Sequence, residues 1–375
     1  MPNSLPYMNM GTPTYVPDTD FNNTMTMTMS TNNNTKDEFV FDDMTQRYIV
    51  GIAVLCTSVL GILGNSLVIL SVILSKKLRI VSNTFVVNLA ISDLCTSLCT
   101  PWNAVALLSQ NGWPIRLEVC TVAAGILFVC VGCSLFNLAS IAIDRYIVIT
   151  RLYRVDKTVY PKWVLAIWVA LTWIIPFCVF ILPPIHGIGG LGYNSKYFSC
   201  SQLSSVKTSN TYDIISSVGL YPIPLIIIIT SYTTIYCHIY KHTKNLMSLS
   251  GAEKGSKESK EVTSRLKHRQ VQITKTMFYV VCAFFFCITP YGICLIVDTS
   301  DPAVPYAATL VLMNSCINPL IYAKHPLFKN VYGKILTCMW KEVINEETES
   351  LMRMRTIAQS NRQYISLRNN SSRIV

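Results

Sequence analysis

The chain is 375 residues long, 51 % hydrophobic and only 14 % charged, with a formal net charge of +11. Its apolar residues gather in long uncharged runs, the pattern of a membrane protein. The positive excess is confined to the segments between those runs, so it marks topology and is no nucleic-acid footprint.

Residues 1–45 are polar and rich in Asn, Thr and Met. No basic start followed by a short apolar run marks a cleavable signal, so the first helix is expected to serve for insertion. Asn22-Asn23-Thr24 and Asn33-Asn34-Thr35 match the glycosylation sequon, which makes Asn22 and Asn33 candidate glycosylated residues of an extracellular N-terminus.

Seven runs follow, at 48–75, 80–115, 119–143, 163–195, 214–240, 276–297 and 302–323, and Asp93 is the one charge inside them. A bilayer core of about 30 Å needs roughly 20 helical residues, so every run is long enough to cross. Lipid offers no partner to open backbone groups, and the alternation of a β-barrel is absent, so helices are the expected form. Of the 31 Lys and Arg, 26 fall in 76–79, 145–162, 241–275 and 324–375. Excess positive charge stays in the cytoplasm, which puts the N-terminus outside and the C-terminus inside. Those basic segments also suit contact with anionic membrane lipids.

Most of the fourteen cysteines lie within the runs, where Cys acts as a small hydrophobe. Cys120 opens the third helix on the expected outer side and Cys200 lies in the second outer loop. A disulfide between them would pin that loop over the bundle. Pro224 and Pro290 are expected to break the fifth and sixth helices, since proline removes a backbone hydrogen bond.

After the seventh run, Leu327, Phe328, Val331, Tyr332, Ile335 and Leu336 recur at helical spacing with Lys329 and Lys334 between them. That pattern predicts an amphipathic helix over 325–337, lying on the inner membrane surface. Cys338 behind it is a palmitoylation candidate. Residues 338–375 read as a disordered tail whose Ser360, Ser366, Ser371 and Ser372 are candidates for phosphorylation and arrestin binding. Residues 245–262 read as a flexible linker. The expected organisation is therefore a terminus at 1–45, a bundle at 46–324, the amphipathic helix and the tail.

Four motifs stand on these helices. The first carries Gly64-Asn65, the second Asn88-Leu89-Ala90-Ile91-Ser92-Asp93, the third ends in Asp144-Arg145-Tyr146, and the seventh reads Asn318-Pro319-Leu320-Ile321-Tyr322. Over roughly residues 45–337 the chain thereby resembles the rhodopsin-like (class A) G-protein-coupled receptors. The resemblance implies an all-α membrane protein, a seven-transmembrane helix bundle with an amphipathic eighth helix. It implies an extracellular ligand, a heterotrimeric G protein and arrestin as partners.

It also assigns roles. Asp144 would hold the Arg145 guanidinium at rest, and Arg145 would swing toward Tyr232 and Tyr322 on activation; the plain alternative is a cation snorkelling at a helix end. Asp93 would centre a sodium site with Ser134, Asn314, Ser315 and Asn318, an allosteric ion and the one cofactor foreseen. Its alternative is interhelical hydrogen-bond glue. Leu135, Pro224, Phe284 and Pro290 match the core that repacks on activation. Here the chain departs from the family, because Ile288 stands where a Trp is usual. A second latch on Arg145 would need an acid at the start of the sixth helix, where the chain offers Gln270 and the more distant Glu261.

Single positions narrow the ligand. Amine receptors carry an Asp seven residues beyond the third-helix Cys, and here that residue is Leu127, so a cationic amine loses its counter-ion. Opsins need a Lys in the seventh helix, and 302–323 has none. Local likeness is to melatonin-type receptors and their invertebrate orphan relatives, in Asn111-Gly112-Trp113, Ser134-Leu135-Phe136-Asn137 and Tyr193 through Cys200. Against it, Phe177 and Gly192 replace two polar ligand-holding residues of that group. Leu127, Val131, Tyr291 and Tyr306 are the candidate pocket lining, apolar enough for a neutral or lipid-like ligand, with plain helix packing as the alternative.

A seven-helix transporter or a non-signalling scaffold is the competing reading. No duplicated half, paired intramembrane charge, metal-ligand spacing or nucleophile–base pair supports a transporter or an enzyme.

Overall fold

The computed structural model describes residues 39–80, 82–150, 161–203, 206–249, 257–294 and 300–337, with 297, 339 and 341. Asn22, Asn33, Cys338 and the tail serines lie outside these residues. The helices are α1 (Met44–Leu74), α2 (Ser82–Leu108), α3 (Leu117–Thr150), α4 (Lys162–Ile185), α5 (Ser209–Leu220), α6 (Pro222–Leu249), α7 (Lys257–Cys294), α8 (Val304–Ala323) and α9 (Pro326–Leu336). Seven of them are long and apolar enough to cross a membrane, α5 and α9 being the exceptions. In family order, α6, α7 and α8 are the fifth, sixth and seventh spans.

Asp43 starts α1 by accepting from the Thr45 amide at 2.8 Å, satisfying one of the donors that a helix start leaves open. Lipid supplies no hydrophobic drive between helices, so close approach at small residues does much of the packing. A Cβ on Gly64 of α1 would stand 2.8 Å from the Pro319 ring of α8, and one on Gly132 of α3 would stand 2.7 Å from Pro176 of α4. Only hydrogen fits at either place. The main core joins Leu135, Ile141, Phe284, Tyr322, Phe328 and Tyr332, from α3, α7, α8 and α9.

Two expectations about proline need correction. The fifth run, 214–240, divides at Tyr221 between α5 and α6, and Pro224 lies in the first turn of α6. A proline there costs nothing, because first-turn amides have no helical partner. The helix does not break at Pro290 either; α7 runs through it to Cys294. Helices also outrun the uncharged runs. Thus α3 continues past Asp144 and Arg145 to Thr150, since a charge marks where lipid ends and not where a helix must.

Between α4 and α5 the chain turns back in a hairpin, β1 (Leu191–Asn194) against β2 (Ser199–Gln202), with Tyr193 opposite Cys200. The Cys120–Cys200 disulfide ties β2 to α3 across 5.1 Å between Cα atoms. Behind the seventh span, α9 buries Phe328, Val331 and Tyr332 and exposes Lys329, as its spacing predicted.

Candidate functional site

Asp93 is 1 % exposed at the middle of α2. Its carboxylate accepts from Ser134 Oγ of α3 at 3.1 Å and from Asn318 Nδ2 of α8 at 2.7 Å. Ser92 and Ser134 hydroxyls meet at 3.0 Å beside it. Asn314 and Ser315 join Asp93 and Ser134 around a small cavity, while Val131, Phe284 and Ile288 close it on the apolar side. Its space for a guest's centre is about 10 Å³, the room of one water-sized particle. Asn314 Oδ1 is buried there without a hydrogen-bond partner. A lone carboxylate, two hydroxyls and an open amide oxygen are hard oxygen donors, which fits a monovalent cation. No group of three or more His, Cys, Asp or Glu that could hold a metal ion occurs among the described residues.

Asn65 braces this layer. Its Nδ2 donates to Gly61 O at 2.9 Å and Ser315 O at 2.8 Å, holding α1 to α8. Asn88 acts similarly on the other side. It donates to Asn137 Oδ1 at 2.7 Å and Thr172 Oγ1 at 3.0 Å, and it accepts from Trp173 Nε1 at 2.9 Å. One side chain thus joins α2, α3 and α4.

At the far end of α3, Arg145 and Asp144 form an ion pair, Nη2 to Oδ2 at 3.0 Å, with each side chain 2 % exposed. Tyr232 of α6 lies within electrostatic range of Arg145 and packs edge-on against Phe278 of α7. Tyr322 of α8 stacks on Phe328 of α9, with ring centroids 5.6 Å apart. The hydroxyls of Tyr232 and Tyr322 are buried and without hydrogen-bond partners. The structure therefore brings Asp144, Arg145, Tyr232 and Tyr322 to one end of the bundle. Tyr146 sits on the same turn, half-buried. Gln270 and Glu261 fall on α7, but their side chains lie outside the described residues.

Leu135 and Phe284 share one core, with Ile288 packed against it. Of the expected pocket lining, Leu127 is buried, Val131 reaches the Asp93 cavity, and Tyr291 is half-buried beyond Pro290. Tyr306 departs from expectation. It is 43 % exposed, donates to Gln46 Oε1 at 3.0 Å and packs edge-on against Phe41. Its contacts are with α1 and the segment before it, so it braces these.

The hairpin end holds groups that sequence reasoning missed. Arg47 of α1, 3 % exposed, donates to Leu107 O at 2.7 Å and Ser109 O at 2.5 Å, and its guanidinium carbon lies 3.6 Å from the Phe198 ring centroid. Phe198 has φ 49°, a left-handed conformation that its side chain disfavours. Lys196 pairs with Asp301 at 2.9 Å, and Tyr197 OH donates to the same carboxylate at 2.5 Å. Burial, with Asp301 beside it, pushes the Tyr197 phenol above its usual range and keeps it a donor. Cys200 N–H donates to Asn103 Oδ1 at 2.8 Å. The hairpin is thus fastened to α1, α2, α3 and the turn just before α8.

Residues 64–322 match the family model described as 7 transmembrane receptor (rhodopsin family). Melatonin receptor type 1A of Phodopus sungorus is 32 % identical over 295 residues, 76 % of this chain and 79 % of that protein. A rhodopsin of Mizuhopecten yessoensis described as GQ-coupled is 28 % identical over 77 % of this chain and 59 % of its own length. Among solved structures, squid rhodopsin shares the fold with a TM-score of 0.68 at 22 % identity, covering 80 % of this chain and 91 % of that one. With the family model spanning most of the chain, and with relatives that are signalling receptors, this protein belongs to the rhodopsin family of seven-transmembrane, G-protein-coupled receptors.

Proposed function

We propose that this receptor works by exchanging partners of Arg145, under the opposing control of a ligand at the hairpin end and a sodium ion at Asp93. At rest Asp144 holds Arg145. An agonist selects the arrangement in which Arg145 turns to Tyr232 and Tyr322, and the ends of α3, α6 and α7 then open to the G protein. The observation that carries this reading is the buried Asp144–Arg145 pair with two buried, unpartnered tyrosine hydroxyls around it. A buried phenol without a partner costs free energy, so both hydroxyls favour a state that supplies one.

The hairpin end is the extracellular side and the Arg145 end is cytoplasmic. Lys and Arg crowd the segments at the Arg145 end, and that asymmetry supports the orientation. Sodium binds the resting arrangement better, because α2, α3 and α8 close its ligands only while packed as here. Basic inner segments and α9 lie against anionic lipid, with Cys338 as a lipid anchor, and the tail serines recruit arrestin once phosphorylated.

The likeness to melatonin receptors does not carry melatonin over as the ligand. Phe177 is 49 % exposed on α4 and offers no polar group inward, and Gly192 has no side chain to offer.

G-protein dissociation in cells tests the switch. Arg145→Ala is expected to reduce ligand-driven and basal signal at equal surface expression. A non-signalling scaffold would leave both unchanged.

A further inference from the structure

Among the described residues, the charges at the hairpin end are exposed, paired or otherwise committed, Asp213 excepted. Arg47 is committed to two backbone carbonyls and the Phe198 ring. Arg116 pairs with Glu118 at 3.7 Å, and Lys196 pairs with Asp301. Asp213, nine residues before Pro222, is half-buried on α5 and has no ion-pair partner among the described residues. It accepts a hydrogen bond from Gln202 Nε2 of β2. That donor is neutral, so it satisfies a lone pair and leaves the charge uncompensated. A tie between β2 and α5 would be made as well by a neutral Asn.

The surroundings of Asp213 are those of a ligand anchor. It lies within electrostatic reach of Tyr291 on α7, the residue after Pro290. Tyr291 is in turn within reach of Tyr197 in the hairpin turn. Asp213 thus stands where α5, α7 and the hairpin converge. The third helix offers apolar groups instead, since Leu127 is buried and Val131 borders the Asp93 cavity on its apolar side.

We infer that Asp213 anchors a positively charged group of the receptor's ligand, an amine or guanidinium, whose apolar body extends inward toward Leu127 and Val131. The inference rests on reading the hairpin end as the ligand entrance. It deepens the expectation drawn from Leu127: the third helix still offers a cation nothing, and the counter-ion stands at the mouth instead. A carboxylate there gives a charge-assisted hydrogen bond, and Tyr291, within its electrostatic reach, is an aromatic ring able to take the same cation. A cation held by both would join α5 to α7, next to the α6 and α7 segments whose inner ends open to the G protein.

Matched probes on the full chain in cells test this, with G-protein dissociation as the readout. 5-Methoxytryptamine is compared with its neutral N-acetyl form, melatonin. Short hydrophobic peptides ending in Arg-amide are compared with the same peptides ending in citrulline-amide. Wild type, Asp213→Asn, Asp213→Glu and Arg145→Ala are brought to equal surface expression. The charged member of a pair should act at a concentration at least 10-fold below its neutral partner. Asp213→Asn should cost that member at least 10-fold and its partner under 2-fold, and Asp213→Glu should keep most of the response. Which pair responds separates a small amine from a peptide as the source of the charge. Neutral probes that match or exceed charged ones overturn the inference, and so does an equal loss for both in Asp213→Asn. Silence from every charged probe, with a basal signal above that of Arg145→Ala, overturns it as well. Silence with a basal signal equal to Arg145→Ala instead removes the switch reading, and the inference falls with it.

Discussion

Arg47 and Asp93 show what a sequence reveals about a single charge. Asp93 was legible because it interrupts an apolar run, where an unpaired charge is costly and so implies a use. Its partners Ser134 and Asn318 followed only from family likeness, since their spacing along the chain says nothing of three helices meeting. Arg47 carries no such mark, because it stands just before the first apolar run, where a charge is ordinary. Its two acceptors, Leu107 O and Ser109 O, are backbone atoms some sixty residues away, and no side-chain pattern announces them. A planar guanidinium can meet both carbonyls and a ring face at once, while an ammonium cannot. Arg47→Ala should therefore cost roughly 1–3 kcal/mol, the penalty for leaving buried acceptors unpaired. Arg47→Lys should recover less than half of that. The melting temperature of the purified receptor measures both, and full recovery by Lys would show that charge alone matters there.

At the scale of the helices, charge boundaries found the seven spans because they mark where lipid stops. They could not find the hairpin, whose strands straddle the boundary at Lys196, nor the break at Tyr221, where two prolines compete for the same turn. Helix contacts were legible only as glycines of unknown purpose. Gly132 and Gly292 have opposite surroundings. A Cβ on Gly132 meets the Pro176 ring at 2.7 Å and Phe180 at 3.2 Å, and neither the ring nor its backbone can yield cheaply. A Cβ on Gly292 meets nothing within 4 Å. Gly132→Ala should thus destabilise by about 1–3 kcal/mol through overpacking of α3 on α4. Gly292→Ala should be neutral or stabilising by about 0.5–1 kcal/mol, because a helix interior prefers Ala. Thermal unfolding of the two variants side by side checks the sign of each. Equal effects would mean that the α3–α4 approach is looser than the packing implies.

Across the whole molecule, the Asp93 layer lies between the hairpin end and Arg145, and three helices that reach toward both ends supply it. Asp93 binds Ser134 of α3 and Asn318 of α8, and Asn65 ties α8 to α1. A cation that needs these helices packed together opposes any ligand that needs them shifted, and the opposition is reciprocal in free energy. Ile288 makes the contact between the two sites short. It borders the Asp93 cavity together with Val131, so a ligand resting on Val131 would share a wall with an ion held at Asp93. Couplings of this kind amount to about 1–3 kcal/mol, or roughly 5- to 150-fold in affinity. Raising sodium chloride in place of choline chloride should therefore weaken agonist binding to the wild type within that range, and agonist should weaken sodium binding by the same factor. Asp93→Asn keeps the hydrogen-bonding shape but removes the charge, so it should abolish the sodium response while leaving agonist binding measurable. Competition binding across a sodium series reads both effects. If Asp93→Asn responds to sodium as the wild type does, the ion acts elsewhere, and the polar layer around Asp93 serves only to hold α2, α3 and α8 together.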